Sequence, residues 1–208
     1  AIGESEEALE AMLEAAESWS MAHDHGQCLD VLARCDELLD KLDVSGRDPR
    51  RIAVLEKRVR CHFQRGEYVQ ADQWMEETIK MVQAGSDSDK LADLYLDCAQ
   101  YAWTRGRGDK ANDWMSKASE YLVGEPTGAV GLKWCLAQSN RFMRSGLLQE
   151  AESSAERAIM IARDIGDEPA LGVALRDRGT IASLSGEFDL SRQLLQDARS
   201  VQEAHGGL

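Results

Sequence analysis

His23-Asp24-His25, followed by Cys28 and Cys35, is the densest group of potential metal ligands in the chain. Imidazole and thiolate close in sequence could hold zinc. The two cysteines stand seven residues apart, however, a spacing that also repeats one apolar face of a helix, and structural zinc sites favour closer pairs. No metal site is expected there. Cys61-His62 sets a thiol beside an imidazole, the raw material of an activated nucleophile. Adjacent residues on a helix point in different directions, so the two are not expected to pair. Gly106-Arg107-Gly108-Asp109-Lys110 is glycine-rich and precedes a helical pattern. It lacks the strand and the full spacing of a phosphate-binding loop, and a turn between helices is expected instead. The many glutamates form solvated faces, with no pair set apart as acid and base. Without a catalytic constellation, the chain is expected to be neither an enzyme nor a cofactor carrier.

The 208 residues can bury a substantial core, and 43% apolar with 29% charged residues is ordinary for a globular protein. A formal charge of −13 disfavours a surface for nucleic-acid phosphates or anionic membranes. No apolar run reaches the ~20 residues of a membrane span. The N-terminus, AIGESEEALEAM, is acidic and amphipathic, unlike a signal peptide. The five cysteines, at 28, 35, 61, 98 and 135, form no CxxC and fall mostly on apolar helical positions. They read as buried free thiols in a reducing, cytoplasmic setting.

The elements that position these residues follow from a repeat. Glycine returns at a forty-residue step, at Gly26, Gly66, Gly106, Gly146 and Gly186. Five residues after each stand Val31, Ala71, Ala111, Ala151 and Ser191; twelve after stand Leu38, Thr78, Ala118, Ala158 and Ala198. Such a period means stacked units rather than separate globules. Ile52, Leu55, Val59, His62 and Phe63 fall on one helical face before Gly66, and Val69, Trp74, Met75, Ile79 and Val82 on another after it. Each unit is therefore expected to be two helices joined at its glycine. The expected repeats cover residues 4–45, 48–85, 88–125, 129–166 and 168–205 of a single domain, 1–208, with the helices of the first at 4–24 and 27–43. All three prolines fall between units, as helix interiors exclude them. Trp74 and Trp114, on second helices, are expected in the core.

GEYVQA, GRGDKA, GLLQEA and GEFDLS resemble the turn of a tetratricopeptide (TPR) repeat, with glycine, an aromatic or apolar residue, then a small residue opening the second helix. The alanines at 118, 158 and 198 match that family's second small position. Forty-residue units resemble the long TPR-like arrays of maltose-regulator-like bacterial activators and spindle-orientation adaptors. AERAIMIARDIGDEPALGVALRDRGTIASLSGEF is the stretch most similar to them. Unit one departs, with Trp19 where the family has a small residue and Val31 where it has alanine. The resemblance implies an all-α fold, a right-handed α-solenoid of about five helix-turn-helix repeats and about ten antiparallel helices.

It also implies a groove lined by first helices, at positions 13, 10, 6, 3 and 2 before each glycine. Six before are Ser20, Arg60, Gln100, Asn140 and Thr180; three before are His23, Phe63, Trp103, Met143 and Ser183; two before are Asp24, Gln64, Thr104, Arg144 and Leu184. The expected site is a polar rail of Arg60, Gln100, Asn140 and Arg144, flanked by Gln64, Thr104 and Thr180, beside an apolar rail of Phe63, Trp103 and Met143. Such a surface suits a protein or peptide segment, with amides and guanidinium for backbone and carboxylates and aromatics for apolar anchors. The expected function is an interaction scaffold, with a ligand-sensing regulatory domain of a larger signalling protein or activator as the alternative. A monomer or a weak homodimer fits either.

Overall fold

The computed structural model describes residues 2–42, 48–85, 87–122 and 124–204, with side chains described from residue 5 onward. Every regular element among them is an α-helix: α1 Ile2–Met21, α2 His25–Lys41, α3 Pro49–Gln64, α4 Tyr68–Gly85, α5 Ser88–Thr104, α6 Gly108–Tyr121, α7 Gly128–Arg144, α8 Leu148–Ile165, α9 Glu168–Leu184 and α10 Phe188–Ala204. The expected turn at Ser45-Gly46-Arg47, the helix ends at Asp43, Val123 and His205, and the closing Gly206-Gly207-Leu208 lie outside the described residues. The helices fall into two compact units, Ala1–Asp87 with α1 to α4 and Ser88–Leu208 with α5 to α10.

Four of the five turns are built alike. Gly66, Gly106, Gly146 and Gly186 have φ of 75°, 71°, 77° and 84°, the left-handed region that glycine enters without steric cost. The residue after each donates its N–H back across the turn: Glu67 to the carbonyl of His62 at 2.9 Å, Arg107 to Ala102 at 2.8 Å, Leu147 to Phe142 at 2.9 Å and Glu187 to Ala182 at 2.8 Å. That bond satisfies a carbonyl the helix end would orphan. Entry signals are equally local. Asp48 accepts from the N–H of Arg50 with Pro49 in the first turn of α3, and Asp167 accepts from Ala170 with Pro169 in the first turn of α9.

The first turn departs from the expected register. The left-handed residue there is His23, with φ 58°, and it is Asp24 that donates back, to Trp19 at 3.0 Å. Gly26 lies inside α2, and α1 ends at Met21 instead of running to 24. Asp24 caps α2 by accepting from the N–H of Gln27 at 3.0 Å. The first turn thus stands forty-three residues before Gly66, not forty, and every position of unit one slides by three. Cys28 and Cys35 take the small sites expected at Val31 and Leu38. Ala16 takes the one at which Trp19 looked anomalous, and Trp19 is exposed.

In this register three rows of small or compact residues close each helix pair. Cys28, Ala71, Ala111, Ala151 and Ser191 are at most 6% exposed. Cys35, Thr78, Ala118, Ala158 and Ala198 are buried on the same second helices, and Ala16, Val59, Ala99, Ser139 and Gly179 on the first helices. Contact is close at the last pair: a Cβ on Gly179 would lie 3.0 Å from Cγ of Leu195 and 3.3 Å from Cβ of Leu194. Larger residues then fill between pairs. In the first unit Leu9, Leu32, Leu39 and Val54 surround Cys28, Cys35 and Cys61; in the second, Leu132, Ile159, Leu171 and Leu175 surround Ala158, Ala162, Ala174 and Ala198.

Two substitutions check this register. His23→Gly relieves a left-handed side-chain conformation and should stabilise the fold by about 0.5–1 kcal/mol, read as a rise in Tm. Ala158→Glu forces an unpaired carboxylate into a fully buried site and should cost on the order of 3 kcal/mol or more in a denaturant titration. An unchanged midpoint for Ala158→Glu would place that residue outside the interior.

Candidate functional site

In the first unit, α1 and α3 are tied together by an ion pair between Glu17 and Lys57. The hydrogen bond from Lys57 is the main reason the Glu17 carboxyl sits below its ordinary range, with the field of Arg60 adding to it. In the corrected register Glu17 stands six before the turn, the place expected for Ser20, so it shares a row with exposed Arg60. Gln64 is exposed too. Phe63 is half-buried, its ring 5.4 Å from that of Tyr68. At the turn itself, Glu67 accepts from Arg65 at 2.8 Å and pairs with Nδ1 of His62 at 2.6 Å. The bond to His62 leads in lowering the Glu67 pKa. His62 is thus engaged with a carboxylate, whereas Cys61 turns inward to Cys28, as expected for adjacent helical positions.

In the second unit the first helices α5, α7 and α9 pack side by side, α7 in the middle. Lys133 of α7 bridges to α5, its Nζ 2.6 Å from Asp93 and 2.8 Å from Asp97. Burial alone would favour the neutral amine, but the two carboxylates outweigh it and hold the Lys133 pKa above its usual value. Along the same helices Gln100 and Thr180 are exposed and Asn140 is half-buried. Arg144 donates from Nε to Oδ1 of Asn140 at 2.7 Å, which orients the guanidinium from one turn away. Thr104 and Thr180 donate to the carbonyls of Gln100 and Arg176, both at 2.9 Å, which leaves their oxygens as acceptors.

The apolar rail is corrected in its central member. Trp103 is 5% exposed and is a packing residue, in keeping with its size. Met143 is half-buried and packs with Phe142 on the cluster of Ala151, Ala155 and Ile181. Exposed apolar residues are spread over both units, Met21 at 75% and Val69 at 67% in the first, and Met160 at 60%, Leu184 at 57% and Phe188 at 67% in the second. Leu184 was legible as a position two before the glycine; Phe188 is the aromatic that follows it. Trp74 and Trp114 are half-buried rather than core. Arg58 lies over the Trp74 ring at 4.4 Å, and Trp114 stacks on Tyr95 at 5.6 Å under Lys117 at 4.1 Å. Among the described residues no three His, Cys, Asp or Glu side chains could hold a metal ion, and no helix is long and apolar enough to cross a membrane.

No family model matches the chain, and no curated protein matches it in sequence. Solved structures do match in fold. One, of nearly identical TPR-like repeats assigned to a kinesin light chain of Podosopora anserina, aligns over 95% of this chain and 96% of its own, with TM-score 0.62 and 16% identity. BtubC (BKLC) of P. vanneervenii aligns over 100% and 93%, with TM-score 0.61 and 15% identity. Aspartyl phosphate phosphatase F of Bacillus subtilis aligns over 95% and 64%, with TM-score 0.55 and 10% identity. At these identities the likeness is one of fold, and it bears out the expected all-α, TPR-like repeat.

Asp177 of α9 supplies a pH test of this face. Its burial raises the carboxyl pKa, and the hydrogen bond from Arg176, at 2.9 Å, only partly offsets that. The folded state therefore holds this proton more tightly than the unfolded chain, and the stability it contributes below the ordinary aspartate pKa is lost as pH rises through the folded value. Asp177→Asn should accordingly raise Tm at pH 7, and the gain should vanish below about pH 3.9. A gain of equal size at both ends would mean that the carboxylate is not desolvated.

Proposed function

We propose that this chain of TPR-like helix pairs is a protein-interaction scaffold, without catalytic activity, that binds extended segments of a protein partner along the first helices of each unit. In the second unit the contact residues are Gln100, Thr104, Asn140, Arg144 and Thr180, with Met143 at the edge. In the first unit they are Arg60, Phe63 and Gln64. The observation that supports this most is the hydrogen-bonded pair of Asn140 and Arg144 beside exposed Gln100 and Thr180, on three adjacent helices. Amides offer both a donor and an acceptor to a peptide backbone, and an oriented guanidinium takes a carboxylate. Trp103 is left out of the site because it is buried.

The test is selection from a random peptide library displayed on phage, followed by titration of a synthetic peptide carrying the selected motif. Asn140→Ala/Arg144→Ala should weaken that peptide by roughly tenfold or more with an unchanged Tm, since a charge-assisted hydrogen bond contributes about 1.5–3 kcal/mol. Undiminished binding would move the site elsewhere. A lowered Tm would make the pair a structural element instead.

A further inference from the structure

We propose that Cys28 and Cys61 form a redox pair, a modification site in which a small hydroperoxide converts two buried thiols into a disulfide joining α2 to α3. The two sulfurs are 3.1 Å apart, with the Cys61 thiol donating to Cys28, and the Cys28 thiol donates in turn to the carbonyl of Ala16 at 3.2 Å. Both lie in the core of the first unit, at 0% and 1% exposure. Cys28 occupies the small site that opens a second helix, where three of the other repeats place alanine and one serine. A compact residue satisfies packing there; facing sulfurs do more than packing requires. Of the five cysteines, Cys98 and Cys135 lie in the other unit.

The chemistry balances with one equivalent of peroxide. One sulfur, as thiolate, attacks the O–O bond, giving a sulfenic acid and hydroxide. The second sulfur attacks the sulfenic sulfur, the S–S bond forms and water leaves. In sum two S–H bonds are lost, one S–S bond is made and peroxide becomes two waters; a small thiol reverses it by exchange. Burial and the neighbouring Cys28 sulfur push the Cys61 thiol up to about 12, and burial pushes Cys35 up to about 11. The Cys61 thiol therefore stays protonated and quiet until the α2–α3 contact opens, and a small oxidant is the class able to enter a site in which both sulfurs are buried. The bond would fix the packing of the first helix pair on the second, closing a loop of the chain and restricting the unfolded state.

The test is to expose the native chain to hydrogen peroxide, block the remaining thiols and determine intact mass and disulfide-linked peptides. The expected result is a loss of 2 Da reversed by dithiothreitol, a single cross-link between the Cys28 and Cys61 peptides, three blocked thiols, and a rise in Tm on the order of 5 °C or more. Cys35→Ala should keep the cross-link and Cys61→Ser should abolish it. Peptide mapping of the unmutated chain decides the matter even if Cys61→Ser fails to fold. Five blocked thiols after oxidation, a link through Cys35, or sulfinic acid in place of the cross-link would each overturn the pairing.

Discussion

Everything in this fold depends on how closely the two helices of a pair can approach. Helix axes separate by about 8–10 Å, and the distance is set by the side chains at the crossing. Here three compact residues per pair occupy that crossing, from Ala16, Cys28 and Cys35 in the first to Gly179, Ser191 and Ala198 in the last. Because a core packed to crystal density has little room to relax, each methylene added there must displace a helix. The left-handed turn is the other half of the same constraint. It returns the chain without wasted residues, so that the second helix begins with its small position already facing the first.

This explains which parts of the structure were legible in the sequence. Four turns announce themselves, since positive φ selects glycine and close approach selects alanine, and both recur with the period. The first turn failed for a physical reason: histidine is among the residues that tolerate the left-handed region, and Gly26, an ordinary helical glycine, stood forty residues before Gly66 by coincidence. The sequence signal that marks the shift is the pair Cys28 and Cys35, in line with Ala71 and Thr78. The polar row six before the turn was legible in the four units whose turn is at the expected glycine, because solvent exposure tolerates polar groups; in the first its member is Glu17 instead of Ser20. Trp103 was not, since periodicity places a residue on a face without saying whether its neighbours cover it. Nor was Lys133 between Asp93 and Asp97, which arises only when α5 and α7 are brought together.

Charge is distributed with more discipline than a net −13 suggests. Several cations are held in place by carboxylates. Arg58 of α3 reaches back to Asp36 of α2 at 2.5 Å, and Arg178, at the equivalent place on α9, reaches back to Glu152 and Glu156 of α8. Both arginines are buried. Such pairs contribute little net stability against an apolar alternative, yet losing one partner leaves a desolvated charge. Their value lies in discrimination, because a first helix docked in a wrong register on the preceding second helix would bury an unpaired guanidinium. Because the same pairing recurs at equivalent places on α3 and α9, it bears on how a first helix seats on the preceding second helix, not on which repeat it belongs to.

The same geometry limits what a partner of the α5–α7–α9 face could be. Adjacent helices at about 8–10 Å set the step from Gln100 to Asn140 to Thr180. An extended chain advances about 3.3–3.6 Å per residue, so one step matches roughly three residues, and the three-helix row matches roughly six or seven. A compact small molecule would touch one helix or two. A peptide following the row would meet an amide, an amide with its guanidinium, and a hydroxyl in turn, each able to hold main-chain groups without dictating the side chains between them. Selectivity on such a face would come from its edges, where Arg144 favours a carboxylate and the exposed Leu184 and Phe188 favour an apolar residue beyond the α9 end of the row.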